Sequence, residues 1–359
     1  MAPVTNARHI FREIPEGKSP RPSISGVPVP GKNLVHDTSE TIDLDSVPLK
    51  GGILVKTLVL SIDPFQRSRL REEHIKGYVP AFKIGQPIWN IGIAKVVRSE
   101  HADYKAGDYV YNWEVPFAEY GVYTEIPTGM RKLESNEGIS WPAWTGVLGM
   151  PGQTAYMGWK EYGKPKKGDT VFVTAASGPV GSVVVQLAKL EGCKVIASAG
   201  SDAKCDDVRA MGADVVFNYK TESTKEVLQR EGPLDIYWDN VGGETLDEAF
   251  IAMREHGRII QCGTITTYND PSGSGPNAYG LKNYSAFFQK ELSMFGFLIP
   301  TLYPKYAESF FADMVPLVKE GKMWHKEDVT KGLENACQAL VDVLSGKNHG
   351  KKVILVAED

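Results

Sequence analysis

The stretch from Thr174 to Lys189, "TAASGPVGSVVVQLAK", decides how the whole chain is read. It ends a short apolar run, "TVFVTA", and leads into a segment of helical character from Val180 to Glu191. Between the two, the chain turns through Ala175, Ala176 and Ser177, and Gly178, Pro179, Val180 and Gly181 open the helix. The pattern is A-x-x-G-x-x-G rather than G-x-G-x-x-G, with Ala175 where a first glycine would stand. Gly178 would let the backbone approach a pyrophosphate, and Gly181 would let the helix pack close to the strand. Pro179 fits a first-turn position, where its missing N–H costs little. The helix N-terminus then faces the phosphates. A bland tight turn could look the same, but a good strand before it and a good helix after it, within roughly thirty residues, favour the phosphate-binding reading.

Working outward, the same alternation continues. "CKVIASAG" is followed by a helix from Asp202 to Met211, "ADVVFNY" by one around Glu222 to Arg230, and "LDIYWDNVGG" by one from Glu244 to Arg254. "GRIIQCG" and "LSMFGFLI" complete the series, which holds to about residue 305. Near-continuous apolar strands separated by amphipathic helices predict a parallel sheet covered on both faces, a doubly wound nucleotide-binding domain. If the ligand were NAD, the second strand would end in an acid that grips the ribose 2′-hydroxyl and repels a 2′-phosphate. It ends instead in Gly200 and Ser201, and Asp202 reads better as a helix cap or first-turn acid. Lys204, otherwise an ordinary solvated lysine, could reach a 2′-phosphate, so NADPH is favoured over NADH.

Before this region, residues 1–135 show short apolar runs broken by Gly, Pro and Asp, among them "GGILVKTLVLSID", "NIGIAKVVRS" and "FAEYGVYTEI". They predict an antiparallel, barrel-like β domain. After it, "AESFFADMVPLVKEGK" and "ENACQALVDVLSG" are helical and "GKKVILVAE" is a terminal strand that could finish the first domain's sheet. The chain of 359 residues is long enough for two cores, and 42% hydrophobic content fills them. With 40 basic and 44 acidic residues, net charge −4, there is no global field to attract nucleic acid or an anionic membrane, so a small molecule is the expected partner. Neither a signal peptide nor a membrane-spanning run is visible, and the chain reads as a cytoplasmic protein. Cys193, Cys205, Cys262 and Cys337 are scattered and read as reduced, inert thiols.

Eight ordered stretches, "LSIDPFQR", "LGMPGQTAYMGW", "AASGPVGSVVVQLAKLEGCKV", "ASAGSDAK", "FNYKT", "DNVGGETLD", "CGTITTYN" and "SGKNHGKKVI", span about residues 54 to 356. Together they resemble the zinc-independent branch of the medium-chain dehydrogenase/reductases, and within it the alkenal/one double-bond reductases. The resemblance implies an α/β fold in which a GroES-like β-rich catalytic domain, residues 1–144 and 308–359, flanks a doubly wound Rossmann domain at 145–307. It implies a homodimer joined through the last Rossmann strands, although burial within one subunit would also explain the apolar "LSMFGFLI". No metal is expected, because the N-terminal half has no His-Glu pair or cysteine cluster and the seven histidines stand singly.

The implied reaction is NADPH-dependent reduction of the C=C bond of an α,β-unsaturated aldehyde or ketone, with hydride addition to the β-carbon and protonation of the enolate. Conjugation carries charge to the carbonyl oxygen, where hydrogen-bond donors act as charge develops. Tyr268 matches the family tyrosine taken as proton donor or enolate stabiliser, or it grips the cofactor. Lys204 and Tyr219 would hold the 2′-phosphate end, Gly178, Pro179, Val180 and Gly181 the pyrophosphate, and Met150 and Thr154 the nicotinamide side. Asn240, Cys262, Gly263, Thr264, Ile265 and Asn348 would complete the cleft. Phe65 departs from the family's "D-P-Y-M-R" tyrosine, which leaves a greasier pocket wall or one donor fewer. Tyr284, Phe287 and Phe288 are pocket candidates or core aromatics, and "YNDPSGSGPNAYG" reads as a loop that could close over the cleft. Two rival readings stand beside this one: a zinc-free NADP-dependent secondary alcohol dehydrogenase, and an NADPH-binding protein without catalysis.

Overall fold

The computed structural model describes residues 2–15, 26–133, 138–269 and 279–359. The chain divides into two compact units: Met1–Thr145 with Tyr268–Pro271 and Glu327–Asp359, and Gly146–Thr267 with Ser272–Lys326.

The first unit is built on a seven-stranded, mostly antiparallel sheet. Its long strands Ile53–Ser61 and Trp89–Ser99 arise where the β-branched runs predict them, and bulges shift their register twice along Ile53–Leu60. The terminal strand Lys351–Leu355 pairs antiparallel with Ile53–Ser61, Val353 facing Ser61, so the chain's end does finish this sheet. Phe11, Leu34, Phe82, Phe117, Leu340 and Ile354 form its core, in which the helix Ala336–Leu344 buries one face.

The second unit opens with helix α1 (Met150–Gly158). The Rossmann elements follow: β1 (Thr170–Val173), α2 (Gly181–Leu190), β2 (Lys194–Ala199), α3 (Asp202–Ala210), β3 (Val215–Asn218), α4 (Thr224–Glu231), β4 (Leu234–Asp239), α5 (Gly243–Ala252) and β5 (Met253–Gln261). They are succeeded by the short α6 (Ser285–Gln289), β6 (Ser293–Gly296) and α7 (Ile299–Lys319). All six strands run parallel in the order β3-β2-β1-β4-β5-β6. Strand order therefore reverses between β1 and β4, and in such sheets the ligand crevice lies at the carboxyl ends of the strands at that point. Every residue of β1 is buried, which is why the run alternates so little between apolar and polar. Phe172 stacks on Phe217 and Tyr237 on one face of the sheet.

The domain boundary expected at 307/308 needs correction. It cuts α7, which lies whole within the second unit as far as Lys326. The reason is packing: Phe310 meets Tyr156 of α1 edge-on at 5.5 Å, and the Tyr156 hydroxyl donates to Asp313 Oδ2 at 2.5 Å. A local reading of the sequence sees the helix but not its partner.

Candidate active site

The turn between β1 and α2 has the geometry of a phosphate cradle. Ala176 N donates to Ser198 O of β2 at 2.9 Å, Gly178 N to Ala175 O at 2.9 Å, and Ser182 N to Gly178 O at 2.9 Å. The last of these places Pro179 in the first helical turn, where no amide hydrogen is needed. The two glycines do different work. A Cβ on Gly181 would sit 2.5 Å from Ala175 O and 2.8 Å from Ala176 Cα, so a side chain there would force helix and strand apart. A Cβ on Gly178 would meet only Ala175 O, at 3.1 Å, leaving open space over the backbone. Ala175 itself takes φ +49°, the left-handed conformation that the absent glycine would have adopted freely.

At the end of β2 the structure brings Gly200, Ser201, Lys204 and Tyr219 together. Ser201 caps α3 by accepting from Lys204 N at 3.4 Å, which puts Lys204 in the first turn of that helix. Tyr219 is exposed, and its hydroxyl would lie 2.9 Å from a Cβ on Gly200. A side chain at position 200 would only have to displace the exposed Tyr219 ring, so it is the glycine in the sequence that leaves out the carboxylate that selects NAD. The cradle and this strand end fit a dinucleotide phosphate: Gly178–Gly181 would hold the pyrophosphate, and Lys204 and Tyr219 would hold a 2′-phosphate. Bound there, the cofactor supplies a hydride.

Beneath the crevice the ends of β1 and β4 are latched together. Asn240 Nδ2 donates to Thr174 O at 2.7 Å, Asn240 N to Thr174 Oγ1 at 3.0 Å, and Trp238 Nε1 to Asn240 Oδ1 at 3.2 Å. Asn240 thus shapes the crevice through bonds to protein groups at both ends of its amide. Cys262 N and Gly263 N donate to Asp239 O, at 2.8 and 3.1 Å, and Ile265 N to Asn240 O at 3.1 Å. Thr264 joins the same turn through its hydroxyl, 3.0 Å from that of Thr267. The Cys262 thiol is inert, pushed up to about 12 chiefly by burial. In α1, Thr154 donates to Met150 O at 2.7 Å.

Tyr268 is half-buried and follows directly on the turn Ile265–Thr267, in the segment grouped with the first unit. The next residue, Asn269, is fixed by a 2.6 Å bond to Leu344 O. Asn348 donates to Gly350 O at 2.9 Å, just ahead of the last strand. Half-buried Phe65 sits on a rigid polar frame: Asp63 is paired with Lys351 at 2.8 Å, both fully enclosed, and is held by Asn90 at 2.9 Å and by Ser61. Arg69 lies between the rings of Phe82 and Trp89, 3.9 and 3.5 Å from their centroids, and burial pushes its guanidinium down to about 9.

The aromatic candidates diverge. Phe287 packs edge-on against Phe250 at 6.1 Å and joins the Rossmann core, whereas Tyr284, stacked on it, and Phe288 are exposed. Of the loop read as a lid, 270–278 lie outside the described residues. Residue-by-residue reading missed Thr174 and Asp239, which organise the crevice floor. Their signal was an Asp-Asn followed by Gly242-Gly243, both of which adopt positive φ.

Among the described residues no group of three or more His, Cys, Asp or Glu is placed to hold a metal ion, and no helix is long and apolar enough to cross a membrane. A family model described as zinc-binding dehydrogenase matches residues 179–320, and one described as N-terminal domain of oxidoreductase matches 37–124. The chain is 42% identical over 330 residues to the NADP-dependent 2-alkenal reductase of Nicotiana tabacum, covering 89% of this chain and 91% of that one. It is 39% identical to the (+)-pulegone reductase of Mentha piperita, covering 86% and 89%. The crystal structure of CurA from Vibrio vulnificus in complex with NADPH superposes with a TM-score of 0.85 at 30% identity, covering 98% and 100%. The chain therefore belongs to the medium-chain dehydrogenase/reductases, in the branch of the alkenal/one double-bond reductases, and is an NADPH-dependent oxidoreductase.

Proposed function

We propose that the protein reduces the C=C bond of α,β-unsaturated aldehydes and ketones with NADPH. The observation that carries this reading is the 42% identity to a 2-alkenal reductase across nearly its whole length. The chemistry asks little of the protein beyond placement and a few donors. As hydride reaches the β-carbon, charge develops on the carbonyl oxygen, and a donor aimed there lowers the barrier. Tyr268 is the residue assigned to this oxygen. A phenol with an ordinary value near 10 is a weak acid at neutral pH, so it stabilises the enolate by a hydrogen bond as readily as it delivers a proton.

Met150, Thr154, Gly178–Gly181, Lys204, Tyr219, Asn240, Cys262–Ile265, Tyr268 and Asn348 form the assigned cofactor set. Phe65, Tyr284, Phe287 and Phe288 are the assigned substrate contacts, of which Phe287 also packs against the core. A homodimer through β6 accords with that strand's place at the sheet edge and with exposed Met294 on it, since an unpaired edge invites pairing. Light scattering of the purified chain tests the dimer.

The test of activity is loss of nicotinamide absorbance with NADPH, and separately NADH, against a panel of enals, enones and saturated alcohols, with products identified by mass. The expected product is the saturated carbonyl, formed with a strong NADPH preference. No turnover of any enone, with NADP reduction by an alcohol instead, would replace this reaction by alcohol oxidation.

A further inference from the structure

The floor of the crevice between β1 and β4 holds a carboxyl group that no cation pairs among the described residues. Asp239, the last residue of β4, is fully buried. Its Oδ1 accepts from the Tyr237 hydroxyl at 2.7 Å and from the backbone N–H groups of Val241 and Gly242 at 2.8 Å each. Among the described residues its Oδ2 is buried with no donor, and so is Oε1 of Gln261. Gln261 is the residue opposite Asp239 in the register of β4 with β5, and its Nε2 donates to Gly263 O at 2.7 Å. Two adjacent strands therefore contribute two enclosed acceptors and no hydrogen between them, a costly arrangement in the interior. Turning the Gln261 amide over moves the deficit without removing it, because Oε1 would then face Gly263 O, another acceptor.

One proton satisfies both atoms. We propose that Asp239 is a positioning residue held as the neutral carboxylic acid, with its Oδ2–H donating to Gln261 Oε1 and latching β4 to β5 beneath the crevice.

The surroundings agree. The titratable groups facing Asp239 are the Tyr237 phenol on its own strand and the Cys262 thiol beyond β5, both driven upward chiefly by burial. Burial likewise raises the Asp239 carboxyl above its ordinary value, against the opposing pull of the Gly242 and Val241 N–H groups and the Tyr237 hydroxyl bonded to it and of the nearby Gln261 amide. A neutral acid also suits the task. It fixes the Asn240–Gly243 turn through its oxygen while placing no negative charge under a crevice that must receive the phosphates of a dinucleotide. The inference concerns the cofactor floor and is independent of which substrate is reduced.

Infrared spectroscopy of the full-length protein at neutral pH tests it, comparing unlabelled protein with protein carrying 13C at the aspartate carboxyl carbon. The expected result is a protonated-carboxyl band that moves with the label, is lost in Asp239→Asn, and rises in frequency in Gln261→Leu, where the acid loses its acceptor. The labelled wild-type protein gives its answer even where a variant does not fold. Absence of any label-sensitive carboxylic-acid band would overturn the proposal, as would a band that persists in folded Asp239→Asn. NADPH binding followed by fluorescence supplies the second readout. Affinity should stay level while the band is present and fall as rising pH removes it; a level affinity after the band has gone would sink the positioning role.

Discussion

Two strand ends of one parallel sheet handle polar groups in opposite ways. At β1 and β4, Thr174 and Asn240 are bonded to each other and the Asp239 carboxyl accepts from nearby backbone N–H groups, so these side chains are consumed in shaping the crevice. At β2, Gly200 has no side chain, Tyr219 stands exposed, and Ser201 serves only to start a helix that carries Lys204. The first end is a fixture and the second an open seat. The difference teaches that polar residues near a cofactor crevice are not equivalent: those of the first end set geometry, and those of the second are the ones we propose to select the cofactor.

Substituting the fixture should therefore cost stability first, and substituting the seat should cost specificity. The largest effect is expected for Gly181→Val, whose Cβ has no space against Ala175 and Ala176. A loss of about 3 kcal/mol in denaturant unfolding is expected, with NADPH binding abolished in a titration; a variant of unchanged midpoint would show the loop to be plastic.

Lys204→Ala should weaken NADPH by roughly tenfold or more, the scale of a charge-assisted hydrogen bond, and leave NADH unchanged. Equal losses for both cofactors, measured by calorimetry, would remove Lys204 from the 2′-phosphate end. Thr174→Val leaves the Asn240 N–H without its acceptor and should cost about 1.5 kcal/mol of unfolding free energy. Its NADPH:NADH preference should stay that of the parent, and a changed preference would erase the distinction between fixture and seat.

The smallest effect belongs to Ala175→Gly. Relief of a left-handed alanine, about 1 kcal/mol, is nearly offset by the extra freedom glycine has in the unfolded chain. The net shift should lie within about 0.5 kcal/mol of zero, and a clear destabilisation would mean that the Ala175 methyl group packs productively.

Much of this was legible from residues alone. The strand–turn–helix around Gly178 and Gly181 and the missing acid at position 200 follow from local pattern, and the structure has both; the return of the terminal strand to the first sheet, which the residues leave open and the family resemblance implies, is decided by its pairing with Ile53–Ser61. What failed to show was whatever depends on a distant partner. Phe287 and Phe288 are neighbours with the same side chain, yet one packs on Phe250 and the other is 71% exposed. The boundary at 307/308 failed for the same reason, since Tyr156 and Asp313 lie far apart in sequence.

By itself, then, the sequence determined the alternation of strands and helices, the phosphate turn and the preference for a phosphorylated dinucleotide, because steric and periodic requirements act between residues a few places apart. Tertiary structure decided that α7 belongs to the second unit, that Asn240 is bonded to Thr174, and that Asp239 lies opposite Gln261. Those outcomes rest on strand order and burial, and chain segments dozens of residues apart must meet before either exists.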